Sequence, residues 1–264
     1  MRVFAMGDPH LALGTPDKSM DRFGPHWTDH PTRIAAACRE VVTDDDILLV
    51  PGDISWAIRL DAAKPDLTWL GDLPGHKVIC RGNHDYWWSS NGKVRLALPP
   101  SVSAVNGDVV RHGDFVFAGT RLWDVPGISF KAAIDWRGED GEAISAPTKI
   151  KSDEQRAQDE KIFRRELARL ERSLKLLQAA RLEEPGRAGI LLIHYPPTDL
   201  ALADTEVTEL IEQYPVEHVV FGHLHALRED LEKPLFGVRN GVHYHLTSAD
   251  VIHFAPVEIP IAAE

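Results

Sequence analysis

Cysteine is scarce: Cys38 and Cys80 are the only two in 264 residues. Two are too few for a disulfide framework. Each falls in an apolar segment and reads as a small buried side chain, not a reactive thiol. Positive charge is also in the minority, with 29 Lys and Arg against 40 Asp and Glu and a formal net charge of -11. A surface of that sign repels nucleic acid and anionic membranes, which argues against either as a partner. No apolar run approaches the roughly 20 residues that span a bilayer. The opening MRVFAMGDPH lacks the basic segment and apolar core of a signal peptide, so a cytoplasmic location is the expectation. Repeats and Ser/Gly-rich linkers are missing too. One domain over residues 1–264 is therefore the simpler reading.

What is present suits a folded α/β protein. Hydrophobic residues make up 44% of the chain, enough to bury a core at this length. Strands are expected at Arg2–Met6, Ile47–Val50, Lys77–Cys80, Ile190–Ile193, His218–Phe221 and Val251–Ile259. Helices are expected at Thr32–Val42, Leu60–Leu70, Trp87–Leu98 and around Thr205–Gln213. Hairpins are expected about His112-Gly113-Asp114 and, more strongly, about Asn240-Gly241. Alternation of β and α in the first half implies parallel strands joined by crossover helices.

The longest helical pattern runs over Ser152–Glu183, read as a helical insertion around 152–184. Ser152 and Gln155 form a capping-box signature. Phe163, Leu167, Leu170, Leu174 and Leu177 share one face, so the helix is expected to dock on the body. Lys161, Arg164, Arg165, Arg169, Arg172 and Lys175 lie opposite and read as a solvated basic face. A homodimer seam or a lid over an anionic substrate is the alternative use of this helix.

Five short segments hold most of the chemistry-bearing polar residues. They are Gly7-Asp8-Pro9-His10, Gly52-Asp53, Gly82-Asn83-His84-Asp85, His194 and Gly222-His223-Leu224-His225. Each follows an expected strand, and in open α/β sheets ligand sites collect at the carboxyl ends of strands. Asp8, His10, Asp53, Asn83, His194, His223 and His225 offer carboxylate, amide and imidazole donors without a thiolate. That set suits Mn²⁺, Fe, Zn²⁺ or Ni²⁺. Seven donors exceed one tetrahedral ion and suit two ions sharing a carboxylate. In Asp8-x-His10 and His223-x-His225, side chains two apart on an extended segment point the same way. Each pair is thus expected to reach one site.

With these segments in place, the sequence resembles the calcineurin-like metallophosphoesterases from residue 3 to about residue 250. Gly52–Trp56, Arg81–Trp88 and His194–Pro197 also resemble a bacterial subgroup of phosphohydrolases. The resemblance implies a four-layer α/β/β/α sandwich and two divalent metal ions (Mn, Fe or Zn). It implies that Asp8, His10 and His225 bind one ion, that Asn83, His194 and His223 bind the other, and that Asp53 bridges them. Independently of the resemblance, a water shared by two ions becomes a nucleophile near neutral pH, so direct hydrolysis without a covalent intermediate is expected. His84 is the candidate acid that protonates the leaving oxygen. Arg81 is the candidate substrate-binding residue, since guanidinium forks match phosphate oxygens. One departure stands out. The protein-phosphatase branch has another Asp and an Arg soon after the bridging Asp, whereas here Ile54-Ser55-Trp56-Ala57 follow Asp53. Protein phosphatase activity is doubtful on that ground.

The leading expectation is hydrolysis of a small phosphoester or nucleotide, a diester before a monoester. A nuclease and a non-catalytic interaction scaffold are the competing readings. Trp56, Tyr86, Trp87, Trp88, Trp123 and Trp136 either pack the domain or stack on a base. Arg121 and Arg137 either meet a second phosphate or are solvated. His26, His30, His243 and His245 read as local hydrogen-bonding residues, and Asp44–Asp46 as a solvated turn.

Overall fold

The structure is a computed structural model that describes residues 1–137, 142–146, 151–231 and 236–261. Eleven strands form two sheets among these residues. They are β1 (Val3–Ala5), β2 (Ile47–Pro51), β3 (His76–Cys80), β4 (Val102–Val105), β5 (Asp108–His112), β6 (Phe115–Thr120), β7 (Ala188–Ile193), β8 (His218–Phe221), β9 (Val238–Arg239), β10 (Val242–Leu246) and β11 (Val257–Ile259). The first sheet has the order β11-β1-β2-β3-β4, and the second β5-β6-β7-β8-β10-β9. β1 to β4 run parallel, as do β6, β7, β8 and β10, and only the outer strands are antiparallel. Five α-helices are present among the described residues: α1 (His30–Val41), α2 (Leu60–Gly71), α3 (Asn91–Ala97), α4 (Asp153–Glu183) and α5 (Glu206–Ile211).

Three apolar clusters define four layers. Val3, Ile47, Val78, Phe117, Ile190 and Val220 interleave between the sheets. Ile34 and Cys38 of α1 and Leu67 and Leu70 of α2 cover the outer face of the first sheet with Phe4, Leu48 and Ile79. Phe163, Leu170, Leu174 and Leu177 of α4 cover the second sheet with Leu191, Val219 and Phe221. Period-2 alternation along each strand sends one set of side chains to the middle and the other outward, which is how a strand buried on both faces reads as a continuous apolar run. The expected α/β/β/α sandwich is the fold observed.

Several elements differ from the sequence reading. The expected helix at Trp87–Leu98 starts only at Asn91, because Tyr86 and Trp88 spend their backbone N–H groups on turns to His84 and Asp85. Trp87 Nε1 also donates to the Asp85 carboxylate, which anchors the ring below the turn. The last strand shrinks to Val257–Ile259. Residues 249–254 close a turn in which His253 and Phe254 take positive φ, and Phe254 is buried against Trp27. β4 was not expected, since its short run Val102-Ser103-Ala104-Val105 follows two prolines. Asp46 is not solvated: it accepts from the Arg2 and Thr43 backbones and both side chains, which outweigh burial and hold its carboxyl well below the usual range. His30 opens α1 and faces the Pro9 and Trp27 carbonyls. His243 and His245 stack with His218 in one column, and His218 Nδ1 lies 3.1 Å from His245 Nε2. Among the described residues no helix is long and apolar enough to cross a membrane.

Candidate metal centre

The carboxyl ends of β1, β2, β3, β7 and β8 meet along one rim, and each delivers one of the five motif segments there. The backbone leaves each strand sharply. Asp8, His10, Asp53 and His223 all have positive φ, between +45° and +73°. Such conformations are sterically costly for these side chains and concentrate at functional sites. Two glycines let the segments close on one another. A Cβ at Gly82 would overlap the Asp53 carboxylate, and one at Gly222 would overlap that of Asp8. The extended Asp-x-His geometry expected from the sequence is therefore not what brings the donors together. Tight left-handed turns do, and they split the second pair: His225 faces Asp8 and His10, while His223 faces Asn83 and His194.

Two donor sets result. In the first, His10 Nε2 lies 3.2 Å from His225 Nε2, and His225 Nε2 is 4.0 Å from Asp8 Oδ1. In the second, Asn83 Oδ1 is 2.7 Å from His194 Nε2 and 2.9 Å from His223 Nδ1. Asp53 Oδ2 stands between them, 3.7 Å from His10 Nε2 and 3.5 Å from His194 Nε2. Asp8, His10 and His225 form one cluster with a metal-binding arrangement, and Asp8, Asp53 and His194 form another.

The chemistry of this donor set fits divalent cations. Asp8, His10, Asp53 and His194 are all buried, yet Asp8 Oδ1 and His10 Nδ1 have no hydrogen-bond partner. Burial and mutual repulsion push the Asp8 carboxyl up, and burial pushes up that of Asp53. Burial and the neighbouring imidazoles hold His10 and His223 far below the usual range, and His194 falls to about 3. Imidazoles held in the neutral form beside crowded carboxylates make a donor set that could hold a cation. Outer contacts fix which ring nitrogen is offered. His194 Nδ1 donates to the Pro51 carbonyl (3.0 Å), which turns Nε2 inward. His225 Nδ1 lies 2.7 Å from Asp250 Oδ1, and Asp250 also accepts from the Ala226 N–H. Burial alone would lower the His225 pKa, but Asp250 reverses this and raises it to about 9.

Asp250 is the residue at the candidate site that the sequence reading missed. Its signal was faint: a lone acid in a turn after β10, far from any motif. Asp85, in contrast, does not serve His84. Its buried carboxylate accepts from the Ile54, Ser55 and Gly82 N–H groups and from Trp87, and so joins the Asp53 and Asn83 loops. The His84 N–H donates to Asp53 Oδ1 (2.7 Å), while the ring lies 4.4 Å from Trp56 with Nδ1 unpartnered. Trp56 also stacks on His10 at 5.0 Å. The residue in the departing stretch after Asp53 is thus a wall of the site.

A cavity of about 210 Å³ adjoins His223, lined among others by Phe130, Ile134, Trp136, Tyr195 and Leu224. Trp136 enters it, while Trp87 and Trp88 are core residues. Arg137 pairs with Asp135 at the surface, and Arg121 lies over the Trp123 ring. Part of the stretch that holds these residues, 138–141, lies outside the described residues. Cys38 and Cys80 are buried, and burial pushes both thiols up, Cys38 to about 12.

A model of the calcineurin-like phosphoesterase family matches residues 1–227. Among solved structures, the chain is similar to phosphopantetheinyl hydrolase from Mycobacterium tuberculosis, at 16% identity and TM-score 0.45, covering 94% of this chain and 88% of that one. It is similar to the calcineurin-like phosphoesterase YfkN from Bacillus subtilis, at 15% identity and TM-score 0.45, covering 94% and 81%. It is also similar to a protein of unknown function from Aquifex aeolicus, at 12% identity and TM-score 0.42, covering 97% and 95%. No curated protein matches.

Proposed function

The chain belongs to the calcineurin-like phosphoesterase family, and from that premise we propose that it hydrolyses a small phosphodiester at a site for two divalent ions. The observation that carries this reading is the placing of Asp53 between two donor sets, within 3.7 Å of His10 and 3.5 Å of His194. Asp8, His10 and His225 would hold one ion, Asn83, His194 and His223 the other, with Asp53 shared. Bound divalent ions supply a hydroxide nucleophile near neutral pH and offset charge on the phosphoryl oxygens.

The remaining work falls to side chains. The tie of the His84 N–H to Asp53 fixes this imidazole beside the donor sets, where it protonates the leaving oxygen. Arg81 is the substrate-binding cation. Trp56 walls the site beside His10 and His84 and limits water. The aromatic cavity beside His223 takes an organic arm of the ester.

The test is hydrolysis of bis-p-nitrophenyl phosphate beside p-nitrophenyl phosphate, with metal-stripped protein and Mn²⁺ restored. Diester turnover that disappears in Asp53→Ala is the expected result. Turnover of the monoester alone would overturn the diester assignment. Turnover unaffected by Asp53→Ala would overturn the site.

A further inference from the structure

We propose that Arg81, Arg121 and Arg169 form a second anion-binding subsite, which holds a phosphate group the substrate carries in addition to the one hydrolysed. This rests on the phosphoester reading of the adjoining site. Glu166, on the buried face of α4, is fully buried and marks the place. Three guanidinium groups reach its Oε1: Arg169 at 2.9 Å, Arg165 at 3.3 Å and Arg121 at 3.4 Å. Arg81 is close enough to feel the charges of Arg121, Arg169 and Glu166. Asp85 also acts on Arg81, but its carboxylate is occupied by backbone N–H groups and Trp87. One buried carboxylate thus meets three guanidinium groups, in a protein of net charge -11. Glu166 can neutralise only one of them.

Two further observations point to an anion as the ligand of this group. Arg81 Nε is buried with no hydrogen-bond partner, and a native structure rarely leaves such a donor unpaired. The Arg121 guanidinium is only 12% exposed, and its one hydrogen bond among the described residues is the long one to Glu166. Its face lies over the Trp123 ring at 4.7 Å, which fixes the plane and leaves an edge to offer. The geometry ties this group to the metal-ligand rim. The Arg121 carbonyl accepts from the His194 N–H (3.2 Å), and Arg81 directly precedes Gly82-Asn83. Planar forks in that setting match phosphate oxygens in a way a lone ammonium does not.

The test uses Mn²⁺-loaded protein freed of excess ion, titrated calorimetrically with methylphosphonate and with methylenediphosphonate. Arg121→Ala and the half-exposed Arg169→Gln are compared with wild type, with circular dichroism as a check on folding. Wild type should prefer the diphosphonate by roughly tenfold, and each variant should lose most of that preference while methylphosphonate binding changes less than about twofold. A preference that survives both variants overturns the subsite, as does an equal weakening of both ligands. If wild type hydrolyses phosphoesters but the preference is insensitive to these arginines, the subsite fails and the phosphoesterase reading stands. If no phosphoester is cleaved but the preference depends on Arg121, the subsite stands and that reading fails.

Discussion

The Asp250 carboxylate beside His225 favours the protonated imidazole at neutral pH, and a cation would compete with that proton. Asp250 holds that proton in place, with a pKa of about 9. An ion entering at His225 must expel it, so apparent metal affinity should fall as pH drops below 9. Between pH 6 and 8 the affinity should change by at least about tenfold per unit, because an ion displaces the His225 proton and also meets the Asp8 carboxyl, which burial pushes up to about 8. Asp250→Asn removes the charge that raises this pKa, which should flatten the pH profile. At pH 9, where proton competition has nearly gone, the same change should still weaken binding about 10–100-fold, because the ring loses its orienting partner. Competition with a metal-sensitive dye across this range checks both statements, and an unchanged profile would remove Asp250 from the site. At this scale the donors themselves were legible: Asp8, Asp53, Asn83 and His223 follow apolar runs, next to glycines that permit close approach. Asp250 was not, because its role depends on a turn that brings residue 250 beside residue 225, and no local spacing encodes that.

α4 shows what an apolar period can and cannot say about an element. The 3-4 spacing of Phe163, Leu167, Leu170, Leu174 and Leu177 foretold its docked face, and the Ser152–Gln155 box caps it as expected. The basic stripe opposite is less free than its spelling suggests. Arg164 pairs with Glu160 and Glu206, Lys175 pairs with Glu171, and Arg165 and Arg169 turn onto Glu166. Glu166 and Ser173 lie on the docked side, and Ser173 Oγ donates to the Asp108 carbonyl and accepts from the Gly119 N–H. Periodicity counts apolar side chains and so passes over polar ones that are buried because they are bonded. Leu174→Ala should cost about 2–5 kcal/mol in urea unfolding. Lys161→Ala, at an exposed position, should stay within about 0.5 kcal/mol. A small Leu174 effect would mean that α4 is not part of the cooperative unit.

At the level of the whole molecule, the candidate site is a joint between sheets. Asp8, His10, Asp53 and Asn83 come from the first sheet, and His194, His223 and His225 from the second. Ions held there bind the native arrangement and not the unfolded chain. At a free concentration a hundredfold above Kd this adds about 2.7 kcal/mol, and for a chain this size the melting temperature should rise roughly 5–10 °C. Differential scanning fluorimetry with Mn²⁺ against chelator tests this, with Asp53→Ala expected to lose the rise. An equal melting temperature in all three would mean that the donors do not bind metal together. The layered architecture was readable from alternating β and α segments. The partnering of distant strands was not, since hydrogen-bonded neighbours in a sheet leave no mark on each other's spacing.

That partnering has a consequence for how the chain is made. β1 pairs on one side with β2 and on the other with β11, Val3 against Ile259. β1 therefore keeps one flank open until β11, the last strand among the described residues, has been made. During that interval its backbone is an invitation to any other nascent strand. The hydrophobic Val3-Phe4-Ala5 segment is short, which limits the hazard, but the first sheet is finished last, although most of it is translated first.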